Sequence, residues 1–338
     1  MDQRDFARLL DWIAIPSVTG AEGDYGDALA RELAALGLDV ERQELSPGRF
    51  NLLARAGAPE LVFCTHLDTV PPFFGPRAEG EWIHGRGACD AKGQALAMLE
   101  AARTLLARGE RRIGLLFTAG EETDSAGAAL ANARLAEPWH PRHVIVGEPT
   151  DNRFVRAGKG TFKGKLVARG VAGHSSQNVG PSALHELVHC AHRLLEERWG
   201  EHPVLGPGTL NIGTLRGGVA ANVVAEQAEA DVMIRTVERI ELVRARIERN
   251  LGPHVRIAEN SKGYAPVEFE VPAGEEGITI AFGTDVPHMP RWGKPLLYGP
   301  GSILDAHTDH EKVRTRDLEI AAARHVRTAE ELLARSGT

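Results

Sequence analysis

The chain has 338 residues, 43% of them hydrophobic and 25% charged, with a formal net charge of −7. These are ordinary globular proportions and exclude disorder and fibrous architecture. The acidic balance and the lack of any dense Lys/Arg run exclude a nucleic-acid-binding module. From the N-terminus, Met1 to Ile15 opens on Asp-Gln-Arg-Asp and places Phe6, Leu9, Leu10 and Ile13 at helical spacing. That segment has neither the basic start nor the unbroken apolar run of a signal peptide. No window reaches the roughly 18 apolar residues of a membrane span. Three cysteines, Cys64, Cys89 and Cys190, are too few and odd in number for a disulfide framework. The expectation is a reduced, soluble, cytoplasmic protein without membrane or nucleic-acid partners.

Further along, three short apolar runs read as buried strands: Leu61 to Thr65, Ile113 to Thr118 and His143 to Val146. Between the first two, Gln94 to Arg108 carries Leu96, Leu99, Ala102 and Leu106 on one helical face. From about Lys159 the pattern changes. Phe162 to Gly170 reads as a strand and Pro181 to Arg198 as a helix; Thr209 to Leu215 and Val223 to Ile234 read as strands. Val237 to Asn250 follows as a helix and His254 to Glu259 as a strand. This β-α-β-β-α-β order is that of a ferredoxin-like unit. The tail returns to the first pattern, with strands at Gly277 to Phe282 and Pro295 to Tyr298 and a closing helix from Leu318 to Ser336. The predicted fold is therefore α/β. A mixed-sheet α/β/α domain (residues 1–158 and 265–338) carries an inserted ferredoxin-like domain (159–264).

Each of the three early strands runs into polar residues. The first continues as His66-Leu-Asp68-Thr-Val-Pro, the second as Gly120-Glu121-Glu122, and the third as Gly147-Glu148-Pro-Thr. Open α/β sheets bind ligands just beyond the carboxyl ends of their strands. Two more clusters, Gly85-Arg-Gly-Ala-Cys-Asp90-Ala-Lys-Gly93 and Asp305-Ala-His307-Thr-Asp-His-Glu311, precede the helix and follow the late strand. Carboxylates gathered in one crevice are costly unless protonated or neutralised by cations. A pair of divalent metals would neutralise them and activate water. His66, Asp90, Glu122, Glu148 and His307 offer two imidazoles and three acids, a set suited to zinc, with cobalt or manganese as alternatives. Asp68 is placed to orient the His66 imidazole, and Glu121 to take a proton from the attacking water.

Taken together and in order, these motifs resemble the metallopeptidase family of acetylornithine deacetylase and succinyl-diaminopimelate desuccinylase, over nearly the whole chain. The resemblance implies two divalent metal ions per subunit, with Asp90 shared between them. His66 and Glu148 complete one site, Glu122 and His307 the other. Glu121 is then the general base and acid, and Asp68 the imidazole orienter. Gly173-His174-Ser-Ser resembles a lid segment whose His steadies the oxyanion, in the family across a homodimer formed through the inserted domain. Asn222 resembles a substrate-contacting lid Asn, Arg235 the Arg that holds the substrate α-carboxylate, and Gly301 part of a pocket-lining loop. One departure stands out: Tyr264 to Phe282 is short and lacks the helix that family members usually carry there.

The implied activity is removal of an acyl group, expected to be acetyl, from an N-acyl amino acid such as N-acetylornithine, a reaction of arginine biosynthesis. The alternative is a dipeptidase or carboxypeptidase with the same metals and a different pocket. Arg235 could instead pair with Asp231 or Glu238. Lys159 reads as a surface charge and Cys89 as buried and inert. His185-Glu186-Leu-Val-His189 matches the H-E-x-x-H zinc motif in a helical setting. The same helix carries Leu184, Leu187, Val188, Ala191, Leu194 and Leu195, so it reads as a packed helix and not a catalytic one. Ser175 and Ser176 lack a nucleophile elbow, and Gly85-x-Gly87 lacks the third glycine of a dinucleotide fingerprint.

Overall fold

The computed structural model describes residue 1 and residues 3–335. It divides into two compact units, one of Met1–Arg156, Phe269–Ile278 and Thr284–Thr338, the other of Ala157–Glu268 and Thr279–Gly283. The first unit begins with α1 (Gln3–Ile13) and α2 (Gly23–Ala35), then β1 (Asp39–Ser46), β2 (Arg49–Arg55) and β3 (Leu61–His66). It continues through α3 (Lys92–Ala107), β4 (Ile113–Thr118), α4 (Ala126–Ala133) and β5 (His143–Val146). The second unit supplies β6 (Gly160–Arg169), α5 (Ala183–Glu196), β7 (Thr209–Gly217), β8 (Gln227–Thr236), α6 (Ile240–Asn250) and β9 (Val255–Ile257). The chain then returns to the first unit for β10 (Lys294–Leu297) and α7 (Thr315–Arg335). Ser336, expected to end the closing helix, lies outside the described residues.

The six-stranded sheet of the first unit has the order β1-β2-β4-β3-β5-β10. β3 runs parallel to β4 and β5, and β10 parallel to β5, while β1 and β2 are antiparallel. Every residue of β3 and β4 is buried, as a parallel strand covered on both faces requires. α3 is buried around most of its circumference, with polar Lys92, Gln94 and Glu100 among the buried residues, and packs against α1, α7 and β3. In register, His66 stands beside Thr118 and Cys64 beside Val146. Strands lie about 4.8 Å apart, so the segments leaving β4, β3 and β5 emerge side by side at one sheet edge. The fold thus gathers motifs that are far apart in sequence.

In the second unit the sheet order is β7-β8-β6-β9, the arrangement of a β-α-β-β-α-β sandwich. Alternate residues of β8, Ala228, Ala230, Val232 and Ile234, are buried with Leu187, Cys190 and Leu194 of α5 and Val243 and Ile247 of α6. The strand expected across Val223 to Ile234 is broken. Val223–Val224 pairs separately with Gly173–His174, and β8 starts only at Gln227. Ala225 intervenes, buried, with its carbonyl bonded to the amide of Ala183, so it serves the start of α5 instead of the sheet. Among the described residues, no helix is long and apolar enough to cross a membrane.

Candidate metal centre

At the sheet edge of the first unit, donor atoms of His66, Asp90 and Glu122 lie within 4.8 Å of one another. The Asp90 carboxylate has one oxygen on each side of this group. Oδ1 is 2.9 Å from His66 Nε2, and Oδ2 is 3.3 Å from His307 Nε2. Nε2 of His307 is also 3.0 Å from the Glu122 carboxylate. One carboxylate facing two imidazoles is the disposition a shared ligand needs. His307 has a left-handed backbone, φ +62°. Non-glycine residues rarely adopt that conformation unless their surroundings hold them, and such residues cluster at functional sites.

The electrostatics of the cluster ask for cations. Burial pushes the Glu148 carboxyl well above its ordinary range, and the charge on Asp90 adds to the effect. Glu121 is raised well above its range in the same way, by burial and then by Glu148. Neither carboxylate accepts a hydrogen bond from any described residue. Glu122 is also raised, by burial, although its bond to His307 works against the shift. Burial would raise Asp90 too, but the bonds from His307 and His66 outweigh it and hold the group low. Its bonds to Asp90 and Glu122 push His307 up to about 10. For His66, burial acts to lower the value, and the nearby carboxylates of Asp68 and Asp90 outweigh it. Four acids converge on two imidazoles, and two of the acids have no donor. This set of N and O ligands fits divalent transition ions.

Local structure explains how these groups are held. His66 Nδ1 donates to the backbone carbonyl of Asp68 at 2.9 Å, which leaves Nε2 as the nitrogen facing the acids. The Asp68 carboxylate is 3.6 Å from that ring and spends its hydrogen bonds elsewhere. Oδ1 accepts the amides of Gly120 and Glu121, both at 3.1 Å; Oδ2 accepts the amide of Glu122 at 3.2 Å and the Thr19 hydroxyl at 2.7 Å. Asp68 therefore orients His66 through its main chain and grips the 120–122 turn through its side chain. Gly120, at φ +83°, permits that turn.

Two residues that sequence reasoning quoted without a role prove structural to the site. Arg86 and Glu311, both buried, pair at 2.6 Å, and Glu311 accepts the amides of Cys89 and Asp90 at 3.1 Å each. Removing one member of a buried pair costs about 3–5 kcal/mol. Their positions inside the Gly-Arg-Gly and His307…Glu311 motifs were the available signal. Asp285 was missed altogether. Buried, it bonds the Thr118 hydroxyl at 2.6 Å and bears electrostatically on Glu121 and Glu148, yet it sits in a loop with no motif around it.

Gly301 has φ +81°, and a Cβ there would stand 2.5 Å from Cys89 Cβ. What the structure shows for it is close packing of two loops. Buried Cys89 has its thiol pushed well up by burial, with Glu311 adding. In the second unit, His174 is exposed and pairs with the Ser176 hydroxyl at 2.8 Å. Asn222, also exposed, accepts the Ser175 amide through its backbone carbonyl at 3.0 Å. Arg235 bonds Thr161 at 2.9 Å and neither of the acids considered for it. Glu238 is taken by Arg246, and Asp231 by Thr214 and Lys165.

A model of the peptidase family M20/M25/M40 matches residues 62–331, which contain the entire cluster. The chain belongs to that family. A "Probable carboxypeptidase" of Aspergillus flavus is 36% identical over 359 residues, covering 91% of this chain and 85% of that protein. Among solved structures, the aminopeptidase PepT of Bacillus cereus superposes with a TM-score of 0.78 at 19% identity, covering 96% of each chain. YxeP of Bacillus subtilis, a dinuclear metal-binding peptidase of the M20 family, gives 0.69 at 14% identity over 94% of each chain. As an M20 peptidase the protein is a hydrolase, and its mixed α/β sheet fold is that of M20 structures. The narrower resemblance to deacetylases finds no echo in the relative's name.

Proposed function

We propose that this M20 peptidase hydrolyses an amide bond next to a free α-carboxylate, in a short peptide or an N-acyl amino acid, using two divalent metal ions. The observation that carries the reading is the Asp90 carboxylate turned toward two imidazoles amid acids with no donor. His66 and Glu148 would hold one cation, Glu122 and His307 the other, with Asp90 shared. Bound there, the cations supply charge neutralisation, polarisation of the scissile carbonyl and a lowered pKa for water. Glu121 takes a proton from the attacking water and delivers it to the departing nitrogen. Its carboxylate accepts no hydrogen bond among the described residues, and its raised pKa brings it toward the range where a carboxyl serves as both base and acid. Asp68 keeps that carboxylate in place by holding the amides of the turn.

Roles in the second unit rest on the sequence resemblance. Arg235, whose guanidinium has no carboxylate partner among the described residues, is the anchor for the substrate carboxylate, a geometry that suits its planar fork. His174 steadies the oxyanion and Asn222 contacts substrate, with this unit acting as lid and dimerisation element. The carboxypeptidase reading is favoured by the named relative. The N-acyl amino acid deacetylase reading, with N-acetylornithine, N-acetylcitrulline or N-acetyl-lysine as substrates, is favoured by the Gly147-Glu-Pro-Thr and Gly173-His-Ser-Ser motifs. A panel of dipeptides, tripeptides and these acetyl amino acids, assayed with zinc or cobalt and again after chelation, separates them. Activity on C-terminally amidated peptides equal to that on free acids contradicts the carboxylate requirement.

A further inference from the structure

The H-E-x-x-H segment has a use that catalysis leaves open. On α5, Leu187, Cys190, Ala191 and Leu194 are buried, while His185, His189, His192 and Glu196 are exposed. At 3.6 residues per turn, these four exposed groups fall within an arc of about 60°. His185 and His189 are one turn apart, about 6 Å along the axis, and the Cβ atoms of such pairs stand about 5–6 Å apart. None of the three imidazoles has a hydrogen bond or ion pair with any described residue. The neighbouring cation is turned aside, since Arg193 donates to the Asn250 carbonyl at 3.0 Å and 2.9 Å. Glu186, the base of a zinc protease in this motif, lies about 100° around the helix from His185 and is half-buried.

We propose that His189, with His185 one turn before it and His192 one turn after, chelates a divalent transition-metal ion on the outer face of α5. Imidazole donors favour copper(II), nickel(II) and zinc over magnesium or calcium. Metal–nitrogen bonds of about 2.0–2.1 Å are within reach of two imidazoles one turn apart. Packing against the sheet already holds the helix rigid, so binding orders only side chains. Glu196 is an additional oxygen donor at the C-terminal end of the stripe. One helix cannot enclose the ion, so this centre exchanges freely with solution, in contrast to the buried cluster of the first unit.

The test uses the zinc-loaded enzyme titrated with copper(II), followed by calorimetry and electron paramagnetic resonance. Wild type is expected to take up one more equivalent of copper than the His185→Ala/His189→Ala variant, with nitrogen hyperfine structure from imidazole. His189→Ala alone weakens that uptake at least tenfold, because both partner pairs share this residue; His192→Ala has a smaller effect. His140→Ala, which removes an exposed loop imidazole, leaves it unchanged. Alanine favours helix, and circular dichroism checks that α5 persists. Equal copper uptake and affinity in wild type and the double variant overturns the proposal. So does loss of the extra copper signal in Asp90→Ala but not in His189→Ala, which would assign that copper to the buried cluster.

Discussion

The sheet edge of the first unit and the outer face of α5 carry the same kinds of side chain in opposite circumstances. On α5 the histidines are adjacent in sequence, match a known zinc motif and face solvent. At the sheet edge they are 241 positions apart, His66 to His307, and meet only because parallel strands and a late loop converge. Spacing in sequence brings ligands together cheaply, but burial among unpartnered acids is what creates a demand for cations and perturbs proton affinities. The proposed catalytic centre lies where that demand exists.

The largest effect is expected from Asp90→Ala at the sheet edge. Removing the carboxylate that faces both imidazoles should abolish bound metal at the sheet edge and lower turnover by more than about 10³-fold, given the scale of metal catalysis. Metal analysis and substrate hydrolysis report both losses; retained metal with retained turnover contradicts the shared-ligand reading. Glu121→Gln should keep the metal and still lose about 10²–10⁴ of turnover, the range for a general acid–base group. Near-normal rates would move the base elsewhere.

Asp68→Asn tests the grip on the turn. It keeps the backbone carbonyl on His66 Nδ1 but alters the acceptor for the amides of 120–122. A loss of about 10–100-fold, typical for removal of a ligand-orienting contact, is expected mainly in turnover. A loss of metal affinity alone would mean that the side chain serves His66 after all.

Stability of the chelated protein should fall as pH rises from about 6 to 9. Glu121, Glu122 and Glu148 have folded-state values above the ordinary 4.5, and His66 and His307 above 6.5, His307 at about 10. Over this window these five groups bind more protons in the folded state than in the unfolded chain and give stability a negative slope with pH. Lys92, lowered by burial to about 7, is one group that opposes them, above about pH 7. Asp68 and Asp90, held low, act in the opposite sense only near and below their ordinary 3.8. Zinc should raise the melting temperature more at pH 9 than at pH 6; a flat or inverted increment contradicts the coupling. The smallest effect belongs to the His185→Ala/His189→Ala variant, whose turnover should stay within about twofold of wild type if the motif on α5 is not catalytic.

Much of this was legible in advance where one physical signal dominated. Unbroken apolar runs marked β3, β4 and β5 to within a residue, because strands covered on both faces tolerate nothing else. β1, with the polar sequence Asp-Val-Glu-Arg-Gln-Glu-Leu-Ser, gave no such signal: it is an edge strand with mostly exposed residues. Residues behind the candidate ligands were harder to read. Arg86 and Glu311 act on Asp90 through backbone amides, and their partnership spans 225 positions. Asp285 depends on a loop path that no local pattern encodes.

The proposed centre requires two cations sharing one aspartate, and anomalous diffraction from zinc-soaked crystals tests this most directly. Two peaks about 3.5–4 Å apart, one beside His66 and Glu148 and one beside Glu122 and His307 with Asp90 between them, are the expected result. A single peak there, or none, would contradict the account.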